Sequence, residues 1–240
     1  MNLNLKYFFI KTGNAPAFKR PTFNSGCVTE GVKGEFCQII TQNKNWLKLK
    51  FEDGYFGWVN KFYGTMISEK TILPYRIVYP DNQGNFKPET PFGSKLDYKT
   101  QGAISTSKNL TLDNLHKILI GLLNIPYKWG GKTSLGFDCS GLVQSVMGCF
   151  GILLPRDSVD QFQYFKNDKI ELGDAKVGDL HFFGSGRTIT HVGFSLGEKK
   201  ILHSQGFVKI ESLDKNKFNF NSQLSDIYLS THSIRRIFSS

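Results

Sequence analysis

The chain has 240 residues, of which 40% are hydrophobic, and a formal net charge of +10. This is ordinary for a globular protein with one large domain or two small ones, and the scattered lysines lack the basic stripe or recognition motif that would predict nucleic-acid binding. Four cysteines without a CxxC pair or metal-ligand spacing argue against a disulfide scaffold and a zinc site.

The N-terminus contains only a short apolar run, from Tyr7 to Ile10. A secretory signal needs about 7–15 apolar residues and a cleavage site of small residues, and a membrane span needs about 20 apolar residues. Because the cysteines are expected to be free thiols, and neither a secretory signal nor a membrane span is found in the sequence, we expect a soluble cytoplasmic protein. An export route that the sequence does not reveal is the alternative.

Residues 20–105 are predicted to form short strands. Trp46–Phe51 alternates apolar and polar side chains, as a half-buried strand does. Asp53-Gly54 after it favours a hairpin turn, because glycine tolerates a positive φ. Prolines between residues 74 and 91 argue against a helix there. Other predicted strands are Phe36–Ile40 and Gly57–Val59.

The segment NWLKLKFEDGYFGWVN, residues 45–60, resembles the bacterial SH3 family, whose repeats carry a tryptophan followed by a DG turn and a GWV strand. PFGSKL, residues 91–96, is a weaker echo of such a repeat. We therefore expect one clear SH3-like barrel and a divergent second one within residues 1–106.

The periodicity becomes helical after residue 106. Leucines and isoleucines from Leu112 to Leu122 recur at helical spacing behind a capping Thr111, and Pro126 ends the pattern. A second helix is predicted from Asp138, with an apolar face that reaches Phe150. Helices followed by an antiparallel sheet predict an α+β domain over residues 107–240. The predicted strands are Asp179–Phe183, His191–Leu196 and Lys200–His203.

Cys139 is the first residue after the capping Asp138. Helix amides at this position stabilise negative charge and lower the pKa of a thiol, which favours a nucleophile. The alternative is a small buried apolar side chain, which most free cysteines are. Cys149 lies on the body of the same helix, and packing explains it better.

Two histidines flank one predicted turn. His191 begins one strand, His203 ends the next, and Gly197-Glu198 lies between them. A hairpin of this length brings the two histidines close together. One could take the proton of Cys139 while the other fixes its tautomer, as in catalytic triads. The strand register, and therefore the shared face, is open at this level, and a structural role is the alternative.

Six segments in order resemble the NlpC/P60 family of papain-like cell-wall peptidases: YKWGG, FDCSGLVQ, LPRDSVDQ, VGDLHFFG, THVGFSLG and ILHSQG. The resemblance covers about residues 110 to 235. It implies Cys139 as the nucleophile, His191 as the base and His203 as the orienting third residue. It also implies that Tyr127, beside the nucleophile, helps the Cys139 amide to stabilise the oxyanion.

SH3-like repeats before such a domain, without a signal peptide, resemble the subgroup that hydrolyses γ-D-glutamyl-diamino acid bonds. In that subgroup acidic and hydroxyl groups hold the amine of a free N-terminal L-alanine. The matching positions are Asp138, Ser140 and Ser158. Glu35 is the candidate from the barrel, with an ordinary strand-edge charge as the alternative. Arg156 suits a carboxylate, but could equally anchor a loop.

The sequence thus predicts an α+β papain-like catalytic domain behind an all-β SH3-like region. The expected substrate is an L-Ala-γ-D-Glu-diamino acid peptide derived from murein, released for cell-wall recycling. No phosphate loop, paired-carboxylate motif or zinc signature is present, so no cofactor or metal is expected. The rival hypotheses are an exported hydrolase of intact peptidoglycan and a wall-binding module without activity. The sequence makes no prediction of oligomeric state.

Overall fold

The computed structural model describes residues 5–105, 111–186 and 188–237. A β-rich half is followed by a half with helices packed on an antiparallel sheet, which confirms the predicted α+β class. The domain boundary predicted between residues 106 and 107 lies outside the described residues. No helix in the described part is long and apolar enough to cross a membrane.

The first half contains a seven-stranded antiparallel sheet, in the order β3-β2-β6-β5-β4-β1-β7. The alternation of buried and exposed side chains predicted for Trp46–Phe51 is present, since Leu47 and Leu49 are buried between more exposed neighbours. They pack on Phe8 and Val59 in one apolar core. The strands are β1 (Tyr7–Ile10), β2 (Asn14–Phe18), β3 (Cys27–Val32), β4 (Phe36–Asn43), β5 (Trp46–Lys50), β6 (Phe56–Asn60) and β7 (Gly64–Ile67).

A separate three-stranded sheet follows, formed by β8 (Tyr75–Ile77), β9 (Lys95–Leu96) and β10 (Ala103–Ser105) in the order β10-β8-β9. The segment PFGSKL supplies only the two residues of β9. The second, divergent SH3-like repeat stays a prediction.

The second half contains helices α1 (Leu112–Gly121), α2 (Cys139–Cys149), α3 (Ser158–Phe165) and α4 (Ser222–Asp226). Helices α1 and α2 begin after Thr111 and Asp138, as predicted. Besides the short pair β11 (Lys132–Thr133) and β12 (Gly136–Phe137), six strands form one antiparallel sheet, in the order β13-β18-β14-β15-β16-β17. They are β13 (Lys169–Ile170), β14 (Leu180–Ser185), β15 (Thr188–Ser195), β16 (Lys200–Gln205), β17 (Phe207–Ser212) and β18 (Tyr228–His232).

Helix α2 packs its apolar face on strands β15 and β16. Leu142, Val143 and Val146 from the helix are fully buried in the same core as Val192 and Leu202 from these strands. The three strands predicted from the sequence correspond to β14, β15 and β16. The edge strands β13 and β17, and β18 between β13 and β14, had no clear sequence pattern and were not predicted.

Polar contacts fix the SH3-like region of β1–β7, called the barrel below, against the second half of the chain. Lys132 Nζ lies 3.2 Å from Asp53 Oδ2, and the Lys132 amide donates to Glu30 Oε2 at 3.1 Å. The Gln144 side chain donates to the same Asp53 oxygen at 3.0 Å. The first sheet therefore stands beside α2 and forms one wall of the region around its N-terminus.

Candidate active site

The start of α2 positions Cys139. Asp138 has extended φ and ψ, and its Oδ1 accepts from the Gly141 amide at 2.6 Å, which caps the helix. A Cβ at Gly141 would lie 2.0 Å from the Gly131 carbonyl oxygen, so only glycine allows this close approach. Cys139 therefore lies in the first turn, where backbone N–H groups have no acceptor within the helix.

Cys139 is partly buried at the start of the helix. Burial raises the pKa of Cys139 to about 11, and the neighbouring Asp138 carboxylate acts in the same direction. Hydrogen bonds from the Val192 and Ser140 amides oppose this rise but do not cancel it. The prediction that the helix start lowers the pKa of the thiol is therefore wrong, because desolvation outweighs the amide dipoles.

Strands β15 and β16 bring the two predicted histidines together. Their register pairs Phe194 with Leu202, which places Gly193 beside His203. A Cβ on Gly193 would lie 2.7 Å from His203 Cβ, so glycine is needed here. His191 Nε2 lies 2.8 Å from His203 Nδ1. The predicted proximity of the two histidines is therefore present.

His203 is fully buried and His191 is partly buried, which favours the neutral forms of both imidazoles. Burial lowers the pKa of His191 to about 3, and His203 acts in the same direction. Burial also lowers the pKa of His203, against the effect of Glu211, whose Oε2 lies 2.8 Å from His203 Nε2. At neutral pH the pair is therefore uncharged, and a neutral imidazole can accept a proton.

A cavity of about 610 Å³ opens at Cys139. The barrel contributes Lys19, Val28 and Tyr55 to its wall, and Trp129, 72% exposed, contributes from the catalytic half. The cavity brings together most of the residues predicted for the site, which are Tyr127, Asp138, Cys139, Ser140, Arg156, Ser158 and His191.

Tyr127 lines the cavity as a hydrogen-bond donor. Burial raises the pKa of Tyr127 to about 12, and Cys139 and Asp138 act in the same direction. The phenol is therefore protonated at neutral pH and can donate to an anion beside the thiol, as its predicted role requires.

Arg156 is buried and forms hydrogen bonds with side chains of both halves of the chain. It is 2% exposed, and its Nη1 donates to Asp138 Oδ1 and to Ser140 Oγ, both at 3.0 Å. Its Nε donates to Thr29 Oγ1 of the barrel at 3.1 Å. The partner carboxylate of Arg156 is thus Asp138, within the protein. The polar groups of Asp138 and Ser140 are already engaged, although both residues line the cavity.

Asp157 supplies an accessible carboxylate at the cavity. Its Oδ2 lies 3.2 Å from the Tyr55 hydroxyl, which reaches it from the barrel. Asp157 is the N-cap residue of α3, yet no cap hydrogen bond from its side chain is found within the described residues. Asp157 lines the cavity, next to Ser158. The LPRDS segment contained this residue, but the spacing gave no reason to select it over Ser158.

The structure places Glu35 outside the predicted substrate site. It does not line the cavity at Cys139 but a smaller one of about 70 Å³ beside Lys132. Its carboxylate is 5% exposed and accepts from the amides of Val32 at 3.1 Å and Glu52 at 3.2 Å. Glu35 thus ties two segments of the barrel together. The barrel residue that bonds a cavity carboxylate is Tyr55.

The remaining histidines lie away from this cavity. His181 is fully buried, and its Nδ1 lies 2.8 Å from Thr231 Oγ1; burial lowers the pKa of His181 to about 4. His232 bonds the Phe165 carbonyl oxygen at 2.7 Å. His116 is exposed on α1. These positions agree with packing or solvent-facing roles.

Two parts of the chain match known protein families. Residues 124–223 match the NlpC/P60 family, and residues 17–61 match the bacterial dipeptidyl-peptidase SH3 domain. The γ-D-glutamyl-L-lysine dipeptidyl-peptidase of Bacillus subtilis (strain 168) is 29% identical over 213 residues, covering 76% of this chain and 70% of the relative. The enzyme of the same name from Bacillus cereus is 33% identical over 145 residues, 58% of this chain and 40% of the relative.

A crystal structure of an NlpC/P60 family protein from Bacillus cereus has the same fold, with a TM-score of 0.77 and 19% identity over 95% of this chain and 99% of that one. Fold, site and relatives together define a cysteine peptidase. Residues 124–223 are an NlpC/P60 domain, and a bacterial SH3 domain at residues 17–61 precedes it.

Proposed function

We propose that the protein hydrolyses the γ-D-glutamyl-diamino acid bond of murein peptides that begin with a free L-alanine. One observation carries this proposal: the cavity at Cys139 also contains the Asp157 carboxylate, to which the barrel residue Tyr55 is bonded. The similarity to the dipeptidyl-peptidase of Bacillus subtilis, which extends over 213 residues, supports it.

The reaction begins with a neutral thiol and a neutral imidazole. His191 Nε2 is engaged by His203, so Nδ1 is the nitrogen left for Cys139. As the substrate binds, His191 takes the thiol proton and the sulfur attacks the γ-carbonyl carbon of D-glutamate. His191 then protonates the leaving amine, and a thioester forms. Water, deprotonated by His191, attacks the thioester and releases the dipeptide and the thiol.

The oxyanion of each tetrahedral intermediate needs donors that are already in position. The Cys139 amide at the helix start and the Tyr127 hydroxyl are the two groups we assign to this role. The raised pKa of Tyr127 keeps its proton available for donation throughout the reaction.

The free amine of the substrate distinguishes released peptides from peptides attached to glycan, because attachment acylates the amine. An ammonium group that leaves water must be paired and hydrogen-bonded. We assign this pairing to Asp157, with the hydroxyls of Tyr55 and Ser158 as further partners. Asp138 and Ser140 lie in the same part of the cavity, where both accept hydrogen bonds from Arg156. Recycling of released peptides in the cytoplasm is part of this proposal.

The test compares L-Ala-γ-D-Glu-L-Lys with its N-acetyl derivative, with the products identified by mass spectrometry. We expect cleavage after D-glutamate and a loss of kcat/KM on the order of 10²–10⁴ on acetylation, because a site built to bond a polar group rejects the analogue that cannot pair with it. Equal cleavage of both peptides would contradict the recycling assignment and favour the exported hydrolase of intact wall.

A variant pair tests the role of Asp157. Asp157→Asn should lower kcat/KM for the free peptide and leave the slow cleavage of the acetylated peptide almost unchanged. Asp113→Asn is the matched control, since Asp113 is an exposed carboxylate at the start of α1, outside the cavity. A preference for the free amine that survives Asp157→Asn in full would refute the assignment of this carboxylate.

A further inference from the structure

The hydrogen-bond chain of the site extends beyond His203. In the β16–β17 ladder His203 lies opposite Lys209, so Glu211, two residues further along β17, is on the same face. Glu211 Oε2 lies 2.8 Å from His203 Nε2. The described atoms therefore form a row that runs from Glu211 through His203 to His191.

Glu211 is surrounded by donors. Asn221 caps α4 by accepting the Leu224 amide at its Oδ1, at 2.9 Å, so its amide nitrogen must face the other way. That nitrogen donates to Glu211 Oε2 at 2.8 Å, and Lys209 Nζ lies 3.1 Å from Oε1. Burial alone would raise the pKa of Glu211, but the hydrogen bonds from Asn221, Lys209 and His203 lower it overall. Glu211 is therefore an ionised carboxylate at neutral pH.

An ionised carboxylate only accepts hydrogen bonds. His203 must therefore carry its proton on Nε2, and in a neutral ring its Nδ1 is then an acceptor. The contact of 2.8 Å between the histidines must consequently use a proton on His191 Nε2. This leaves the lone pair of His191 on Nδ1, the nitrogen assigned to Cys139.

Without the carboxylate, the two histidines could carry their protons in the opposite sense. His203 Nδ1–H would then donate to His191 Nε2, and His191 Nδ1 would hold a proton toward Cys139. A ring in that tautomer cannot act as the base. The Glu211 carboxylate therefore determines which ring nitrogens carry the protons, and the two histidines alone do not.

We propose that Glu211 is a positioning residue that fixes the tautomers of both His203 and His191, so that His191 presents an unprotonated Nδ1 to the nucleophile. This inference rests on the proposed roles of Cys139 and His191 and adds a fourth member to their chain. Asn221 and Lys209 support it by holding the carboxylate in place.

The direct test is NMR of the full-length protein with isotope-labelled histidine nitrogens, which distinguishes the two neutral tautomers. In the wild type we expect Nε2–H on both histidines, with signals assigned from His191→Gln and His203→Gln. In Glu211→Ala the acceptor is gone. In the isosteric Glu211→Gln, Asn221 and Lys209 demand opposite amide orientations, so either variant should show a mixture with Nδ1–H on His203.

The rate of hydrolysis should fall as the population of the Nε2–H tautomer of His191 falls. We expect kcat to fall roughly 10- to 100-fold in both variants with little change in KM, a part of the 10²–10⁴ that a positioned base contributes. Glu198→Gln is the matched control, because Glu198 is an exposed carboxylate on the turn before β16 and pairs only with Lys200 in the described ion pairs. This substitution should leave both the histidine tautomers and kcat unchanged.

Two results would overturn the inference: a wild type with Nδ1–H on His203, or wild-type tautomers in both Glu211 variants. Because Glu211→Gln conserves shape, it is expected to fold even if Glu211→Ala does not. Failure of the proposed function is recognised separately, since the wild type would then not cleave L-Ala-γ-D-Glu-L-Lys, or Cys139→Ala would cleave it normally. The tautomers, which NMR reads without turnover, would still report on Glu211.

Discussion

Arg156 offers the most quantitative prediction about the architecture of the site. Its guanidinium is buried against Asp138, Ser140 and Thr29, and so it joins the helix that carries the nucleophile to the barrel. Arg156→Met keeps much of the side-chain volume and removes the charge and all of these hydrogen bonds. The Asp138 carboxylate would then be left in a buried position without its cation.

Breaking a buried ion pair by removing one partner costs about 3–5 kcal/mol. Asp138 would keep its hydrogen bonds from the Gly141 amide at 2.6 Å and the Gly130 amide at 2.9 Å, so we expect the lower end of this range. With a shift of about 2–4 °C per kcal/mol for a chain of this size, the melting temperature should fall by roughly 6–12 °C.

The assay is thermal unfolding at neutral pH, followed by circular dichroism. Arg236→Met is the matched control, because Arg236 pairs with Asp168 through a side chain that is 49% exposed, and such surface pairs contribute about 1 kcal/mol or less. Adding Asp138→Asn to Arg156→Met should cost less than the sum of the single losses, since the two residues are in direct contact. Equal melting temperatures for Arg156→Met and Arg236→Met would refute the reasoning.

Three further predictions concern the chemistry. Cys139→Ala should abolish hydrolysis of the peptide while Cys149→Ala retains most of it, and near-normal turnover by Cys139→Ala would exclude the proposed nucleophile. His191→Ala should cost about as much as Cys139→Ala, because the two act as one unit, whereas His203→Ala should cost less; peptide hydrolysis by the two variants measures this order. Since burial raises the pKa of Cys139 to about 11, the difference in ultraviolet thiolate absorbance between the wild type and Cys139→Ala should be absent at neutral pH and grow only as the pH rises toward that value. A difference at neutral pH would show that the thiol is ionised in the resting enzyme.

The local features of the site could be predicted from the sequence. A capping Asp138 and the apolar spacing that follows it define α2, and they place Cys139 without reference to the rest of the chain. The short turn between His191 and His203 similarly predicts their proximity, which the contact of 2.8 Å bears out. These features depend on neighbours within a dozen residues, where spacing carries the information.

Features that depend on distant contacts could not be predicted. Tyr55 meets Asp157 across 102 positions, and Glu211 reaches His203 only through the register of an edge strand that the sequence did not reveal. Glu35 had the expected charge and domain, but its burial against backbone amides removes it from the site. The pKa of Cys139 also depends on burial by the surrounding structure, which the helix start alone does not indicate.

The most direct test of the central claim is to trap the acyl-enzyme. L-Ala-γ-D-Glu-L-Lys is mixed with the full-length protein, the reaction is stopped with acid, and the intact mass and the digested peptides are measured. We predict an L-Ala-γ-D-glutamyl group on the peptide that contains Cys139, with free lysine as the first product. Turnover without such an adduct at any quench time, an adduct on another residue, or release of a fragment from a different bond would contradict the account.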